Sequence, residues 1–286
     1  MKKILLVAFF IATFMLTYAQ PPAGYYDAAN GLTGAQLKTA LHNIIKNPDV
    51  LSYDGLWNAF KDTDKDIYYE NDGTVLDPYS EKPTTTDPYN FTFISDQCGN
   101  YRDEGDCYNR EHSFPKSWFN DASPMYSDLF HLYPTDGKVN GNRGNLPFGK
   151  VNNPTWTSLN GSKVGSNSTP GYSGTVFEPI DEFKGDFART YFYMVTCYEN
   201  KLSAWTSCPI LDLSTNSGTY PSLKQWVLDL LIEWHTQDPV SQKETNRNNT
   251  VYAKQGNRNP FIDNPQWVYD IWGGSSSVAN PTNFTA

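Results

Sequence analysis

Residues 107–118 read Cys107-Tyr108-Asn109-Arg110-Glu111-His112-Ser113-Phe114-Pro115-Lys116-Ser117-Trp118. A cation, a carboxylate and an imidazole stand side by side here, close after a cysteine, and Pro115 prevents regular strand pairing immediately afterwards. Alone, Arg-Glu-His is a weak signal, because a solvated charge run looks the same. An imidazole is nevertheless suited to general-base work near neutral pH, and a carboxylate holds hard cations. Successive side chains on a regular strand point to opposite faces. Glu111 and His112 therefore serve one substrate only from a turn or an irregular strand, which is predicted here.

Working outward, Asp128-Leu129-Phe130-His131-Leu132-Tyr133-Pro134-Thr135-Asp136 is apolar around a second histidine. Beyond it, Val139-Asn140-Gly141-Asn142-Arg143-Gly144-Asn145-Leu146-Pro147-Phe148-Gly149 packs three Asn and an Arg into a short stretch. Asn and Gly favour turns whatever their function, yet amide oxygens also ligate Mg²⁺ or Ca²⁺ and Arg clamps phosphate. His42, beside Leu41 in an amphipathic pattern, reads as packing. His235 follows Trp234 at a helix end, where a cation suits the dipole. His131 reads equally as a buried, hydrogen-bonded residue or as a support for the site.

A third block, Gln255-Gly256-Asn257-Arg258-Asn259-Pro260-Phe261-Ile262-Asp263, is preceded by Trp234-His235 and Asp238-Pro239-Val240. Together the three ordered blocks resemble the bacterial secreted endonuclease I family, which belongs to the His-Me finger, or ββα-metal, nucleases. The resemblance covers roughly residues 94–272, and more loosely the chain from residue 32. It implies an α+β fold: a single domain with a ββα-metal core surrounded by helices and long loops. It also implies a metal-dependent endonuclease of little sequence preference, cutting DNA and in many members RNA to 5′-phosphate and 3′-hydroxyl ends. On this resemblance His112 is the general base. Glu111 and Asn140 hold one Mg²⁺, with Ca²⁺ or Mn²⁺ as substitutes and Asn145 as the fallback amide. An Arg meets the charge of the phosphorane: Arg143 by its place in the sequence, with Arg110 the alternative.

The 286 residues suffice for a sizeable core, and 38% hydrophobic with 19% charged residues indicates a globular chain rather than a disordered one. Lys2 and Lys3 precede an apolar run from Ile4 to Leu16, shorter than the about 20 residues of a membrane span. With Thr17-Tyr18-Ala19 after it, residues 1–19 read as a cleavable signal. The mature protein is then expected to be secreted or periplasmic, monomeric and free of membrane segments. Residues 20–31 read as a mobile leader, 32–272 as the catalytic domain and 273–286 as a disordered tail. The cysteines form two close pairs, Cys98/Cys107 and Cys197/Cys208. In an exported chain that favours two local disulfides, although four cysteines allow three pairings; the spacing is not that of thiolate zinc sites.

Periodicity and capping predict helices from Thr33 to Ile45, over Gly55–Lys61, over Phe187–Tyr198, from Pro221 to Trp234, and over Val251–Lys254 and Pro265–Trp272. Residues 66–96 read as strands with long loops, and 150–180 as an exposed loop or hairpin region.

Losing Lys2 and Lys3 takes the formal charge from −9 to −11, the opposite of a generic polyanion binder. Residues 102–150 hold six Lys/Arg against seven Asp/Glu, so no linear basic patch surrounds His112. Lys243, Arg247, Lys254 and Arg258 have only Glu244 against them in 243–258 and form the candidate phosphate-backbone surface. Such contacts give weak sequence preference. The competing reading is that Asn257 and Asn259 cap and pack the terminal helices. The 19 Tyr, 16 Phe and 8 Trp also motivate a different class, an extracellular carbohydrate-binding or adhesive protein without catalysis. Glycoside hydrolysis is a third option, but no carboxylate pair stands out.

Overall fold

The computed structural model describes residues 20–215 and 218–273; the expected signal and all but the first residue of the expected tail lie outside them. Leu37, Leu41 and Ile45 recur on one face of α1 (Gly34–Ile45) and are fully buried. The short α2 (Leu56–Thr63) follows. Residues 66–96, where strands were expected, form loops whose only ladder contact among the described residues is a bridge between Lys65 and Val75.

The chain then builds the ββα unit. β1 (Tyr108–His112) pairs antiparallel with β2 (Leu132–Asp136), setting Glu111 opposite Tyr133 and His112 opposite Leu132. Asp136 ends β2 and caps α3 (Gly137–Arg143), its Oδ1 accepting the Val139 N–H at 2.8 Å. The chain leaves α3 through Gly144, at φ +52° and ψ −128°, a conformation for which glycine has no Cβ penalty.

Residues 150–180 take the hairpin alternative of the two expected: a small antiparallel sheet of β3 (Val151–Thr157), β4 (Lys163–Asn167) and β5 (Thr175–Glu178), with register shifts along β3. α4 (Lys184–Cys197) is buried on nearly every side, as a helix apolar all round must be. α1, α5 (Gln225–Gln237) and α7 (Pro260–Asp263) pack on it.

α5 begins four residues after Pro221, because Leu223 is used in a bridge to Leu211 before the helix can start. α6 (Gln242–Gln255) begins well before the expected Val251. Its sequence is polar, so periodicity could not reveal it. Its start is instead fixed by a capping box, in which Ser241 Oγ accepts the Glu244 N–H and Glu244 Oε2 accepts the Ser241 N–H. α8 (Gln266–Trp272) closes the described chain.

Two further expectations are corrected. Residues 20–31 are docked rather than mobile: Tyr26 is buried, donates to Asp263 Oδ2 at 2.7 Å and meets Trp267 edge-on. Cys98 and Cys107 are bonded, but Cys197 and Cys208 are free, buried thiols. Cys197 Sγ points instead from α4 toward the Ile45 carbonyl, donating at 3.3 Å and tying α4 to α1.

Candidate active site

Arg110, Glu111 and His112, three consecutive residues at the end of β1, line a cleft of about 190 Å³ with Tyr53, Lys116, Asn140, Arg143 and Asn145. The expected irregularity is a strand terminus. β1 stops at His112, and Pro115 turns the chain into a 3₁₀ segment (Lys116–Phe119). The carboxylate and the imidazole thus reach one cleft from opposite faces of the last strand residues.

His112 is anchored at one nitrogen. Nε2–H donates to the Tyr126 carbonyl at 3.0 Å, which places the lone pair on Nδ1. Nδ1 has no hydrogen-bond partner among the described residues. Tyr53 stacks on the ring at 5.9 Å between centroids, and His131 lies 5.4 Å away. Burial first, then the His131 ring, hold the His112 pKa well below its ordinary 6.5, so the imidazole is neutral at pH 7. His131 is fully buried and donates from Nε2 to the Met125 carbonyl at 2.6 Å. It packs behind His112 and does not line the cleft.

Glu111 is held from one side only. Its Oε1 accepts from Tyr79 Oη at 2.9 Å and forms an ion pair with Arg143 Nη1 at 3.1 Å. Its Oε2 accepts no hydrogen bond among the described residues. Burial pushes the carboxyl upward, while Arg143 and the Tyr79 hydroxyl favour the charged form. Asn140, on α3, donates from Nδ2 to Asn109 Oδ1 at 2.7 Å, which orients the amide and leaves its Oδ1 without a donor. One carboxylate oxygen and one amide oxygen, both lining the cleft and both unspent, suit a hard cation with few protein ligands. Gly137 and Gly141 set α3 in place, since a Cβ at either would collide with the ring of Tyr101 from the disulfide loop.

Arg143 is not free to meet a phosphate. Its guanidinium is buried and donates to the carbonyls of His112 at 3.0 Å, Gly144 at 3.2 Å and Ser113 at 2.5 Å, besides pairing with Glu111. It is the clamp that fixes Glu111 against the end of β1. The other cations on the cleft wall are Arg110 and Lys116. Arg110 lies 3.5 Å over the Tyr53 ring and 4.3 Å over Trp57, donates to the Tyr53 carbonyl at 2.7 Å and is 15% exposed. Lys116 is 47% exposed and pairs with Asp121. Sequence reasoning missed Lys116, Tyr53, Tyr79 and the Tyr126 carbonyl. Lys116 stood two residues after Glu-His-Ser-Phe and could have been weighed; the others had no local signal.

The expected phosphate-backbone surface of 243–258 is corrected. Lys243 pairs with Asp186 at 2.6 Å, Arg258 with Asp263 at 2.6 Å and Lys254 with Asp62 at 2.6 Å. Arg247 pairs with Asp64 at 2.8 Å and donates to the Leu129 and Leu132 carbonyls. None of the four lines the cleft. Lys243 and Arg247 are drawn inward by acids far away in sequence, Arg258 by one five residues on, while Lys254 pairs at the surface; Arg247 thereby secures the entry to β2. The capping and packing reading holds: Asn259 Oδ1 accepts the Phe261 N–H at the start of α7, and Asn257 donates to Tyr193 Oη at 2.7 Å.

His42 is buried and donates from Nδ1 to the Thr196 and Cys197 carbonyls. His235 is not the expected cation. Burial and the adjacent Arg189 push its pKa down to about 3, and it donates from Nε2 to Pro265 as a neutral ring. None of the eight tryptophans is exposed, and five of them are buried in the core.

Comparison with known proteins agrees with this geometry. The family model described as Endonuclease I matches residues 33–266. The chain is 37% identical to an extracellular ribonuclease of Bacillus amyloliquefaciens, over 87% of this chain and 78% of that one. It is 35% identical to an extracellular ribonuclease of Bacillus subtilis (strain 168), over 90% and 83%. It is 28% identical to an extracellular deoxyribonuclease of Aeromonas hydrophila, over 49% and 50%. No helix among the described residues is long and apolar enough to cross a membrane. With the ββα unit, the cleft and these matches in agreement, the chain belongs to the Endonuclease I family and is a nuclease.

Proposed function

We propose that this secreted nuclease is a metal-dependent endonuclease of low sequence preference that hydrolyses phosphodiester bonds in DNA and RNA to 5′-phosphate and 3′-hydroxyl ends. The observation that carries the reading is the pair formed by His112 and Glu111: a neutral imidazole with Nδ1 unspent, beside a carboxylate with Oε2 unspent. Relatives named as ribonucleases and as a deoxyribonuclease support a substrate read through features common to both nucleic acids. Phosphate contacts carry no direct sequence information, and the cleft wall offers cations rather than a reading element.

His112 takes a proton from the attacking water at Nδ1, and the Tyr126 carbonyl stabilises the imidazolium through Nε2–H. Glu111 and Asn140 would hold Mg²⁺, which supplies charge neutralisation at the phosphate and at the departing oxygen when bound. Arg143 favours the charged form of Glu111 against its burial and fixes it, so the carboxylate needs no rearrangement on cation binding. Arg110, preorganised between Tyr53 and Trp57, and the half-exposed Lys116 bind the phosphate and its neighbours along the strand.

The test is nicking of supercoiled plasmid and cleavage of a long RNA by the mature protein, with Mg²⁺ or with EDTA, beside His112→Ala. We expect cutting that needs the metal and falls about 10²–10⁴-fold in the variant, as for loss of a general base. Cutting that survives EDTA, or is unchanged in His112→Ala, overturns the mechanism.

A further inference from the structure

On a face of the molecule that shares no residue with the cleft, Glu70, Glu81 and Asp87 bring three carboxylate oxygens within 4.8 Å of one another. Among the described residues no Lys or Arg pairs with any of them, so the cluster has no counter-charge from the protein.

The second observation is Glu81 itself. Its side chain is 1% exposed, its Oε1 is fully buried, and that oxygen has no hydrogen-bond partner. Buried carboxylates are ordinarily hydrogen-bonded or paired, because leaving one bare costs the full desolvation penalty. Burial first, then Asp87 and Glu70, push its pKa up to about 9, and Asp87 is pushed to about 6.

The three residues are presented by ordered turns. Asp66 spends its carboxylate on the N–H groups of Tyr68, Tyr69 and Asn71, which fixes the turn carrying Glu70. The Asp77 carbonyl accepts the Glu81 N–H at 3.0 Å, and Asp87 Oδ1 accepts the Lys82 N–H at 2.6 Å.

We propose that Glu70, Glu81 and Asp87 form a second cation site, separate from the catalytic one, that takes a single Ca²⁺. Oxygens bound to one Ca²⁺ at about 2.3–2.6 Å lie at most about 5 Å apart, whereas Mg²⁺ at about 2.0–2.1 Å draws its ligands closer. The three oxygens lie within that limit. Glu70 is exposed, so water can complete the shell. Sites of this kind in extracellular proteins bind at about 10⁻⁴–10⁻³ M, in keeping with a secreted chain. The role is structural: Ca²⁺ would join the 66–71 and 77–87 turns, and the latter carries Tyr79, which holds Glu111 Oε1 at 2.9 Å.

The mature protein is freed of metal with EDTA and titrated with CaCl₂ alone, following bound calcium by calorimetry and the thermal midpoint. Glu81→Gln and Glu70→Gln are compared with the natural chain; Glu70 is exposed, so that variant decides the matter should Glu81→Gln not fold. Expected is a midpoint rise of about 5 °C at saturating calcium, with one fewer calcium bound, or binding weakened at least tenfold, in each variant. The proposal is overturned if both variants, or Glu70→Gln alone where Glu81→Gln does not fold, bind calcium with the stoichiometry, affinity and midpoint rise of the natural chain. It is equally overturned if calcium leaves the natural chain unchanged. Neither result bears on cutting by His112, which is read separately with Mg²⁺.

Discussion

Single side chains in the cleft have jobs that their neighbours dictate. His112 can accept a proton only while neutral. Because burial and His131 lower its pKa below the ordinary 6.5, it stays neutral as pH falls through 6.5, and a cation held by Glu111 acts in the same direction. The acid limb of kcat/KM against pH should therefore lie below 6.5; a limb at or above 6.5 would contradict the geometry around the ring. Arg143 makes an equally specific prediction. A residue serving only the phosphorane could be removed with loss of activity and no loss of stability. Arg143, buried against Glu111 and three carbonyls, should cost about 3–5 kcal/mol when replaced by Ala, as expected when one partner of a buried ion pair is deleted. Urea unfolding of Arg143→Ala, with cutting measured alongside, separates the two roles.

At the scale of elements, β1 and α3 are positioned by what precedes them. The Cys98–Cys107 bond closes a short loop, nine residues in separation, which delivers the chain into β1 and lays Tyr101 on the glycines of α3. A loop of this length restricts the unfolded chain by about 2.5 kcal/mol in the chain-entropy model. The Cys98→Ser/Cys107→Ser double variant should lose about that much stability by denaturant titration. Cutting should fall as well, because Asn140 rides on α3. The free thiols at Cys197 and Cys208 should react with a thiol reagent only after unfolding, since both are buried.

For the whole molecule, the open question is how an acidic chain handles a polyanion. Several of its cations are spent inside. Lys243, Arg247 and Arg258 neutralise buried acids, and the cleft wall is left with Arg110 and Lys116. Few phosphate contacts mean little counterion release. The log–log dependence of kcat/KM on NaCl between 50 and 200 mM should have a slope no steeper than about −2. Lys254→Ala, which removes a surface pair with Asp62, should leave KM for plasmid within about twofold. A steep salt slope, or a large rise in KM for that variant, would restore the 243–258 surface that the structure sets aside.

The ββα unit that the resemblance implied is found because its parts are local. Glu111 and His112 are adjacent, Asp136 caps the helix that follows it directly, and Asn140 is one turn into that helix. Amphipathic helices such as α1 were legible for the same reason, their apolar spacing being written in a few turns. Polar α6 was not, since its helix rests on a capping box and on packing rather than on a hydrophobic stripe. Only the tertiary structure decided which charges are free. An Arg reads the same in sequence whether it faces solvent or a buried acid more than a hundred residues away, as Arg247 does with Asp64. The tertiary structure also gave His112 its tautomer, through the Tyr126 carbonyl, and Glu111 its second anchor, through Tyr79. Desolvation and pairing across the fold, which no local pattern encodes, separate the residues that can touch a substrate from those that hold them in place.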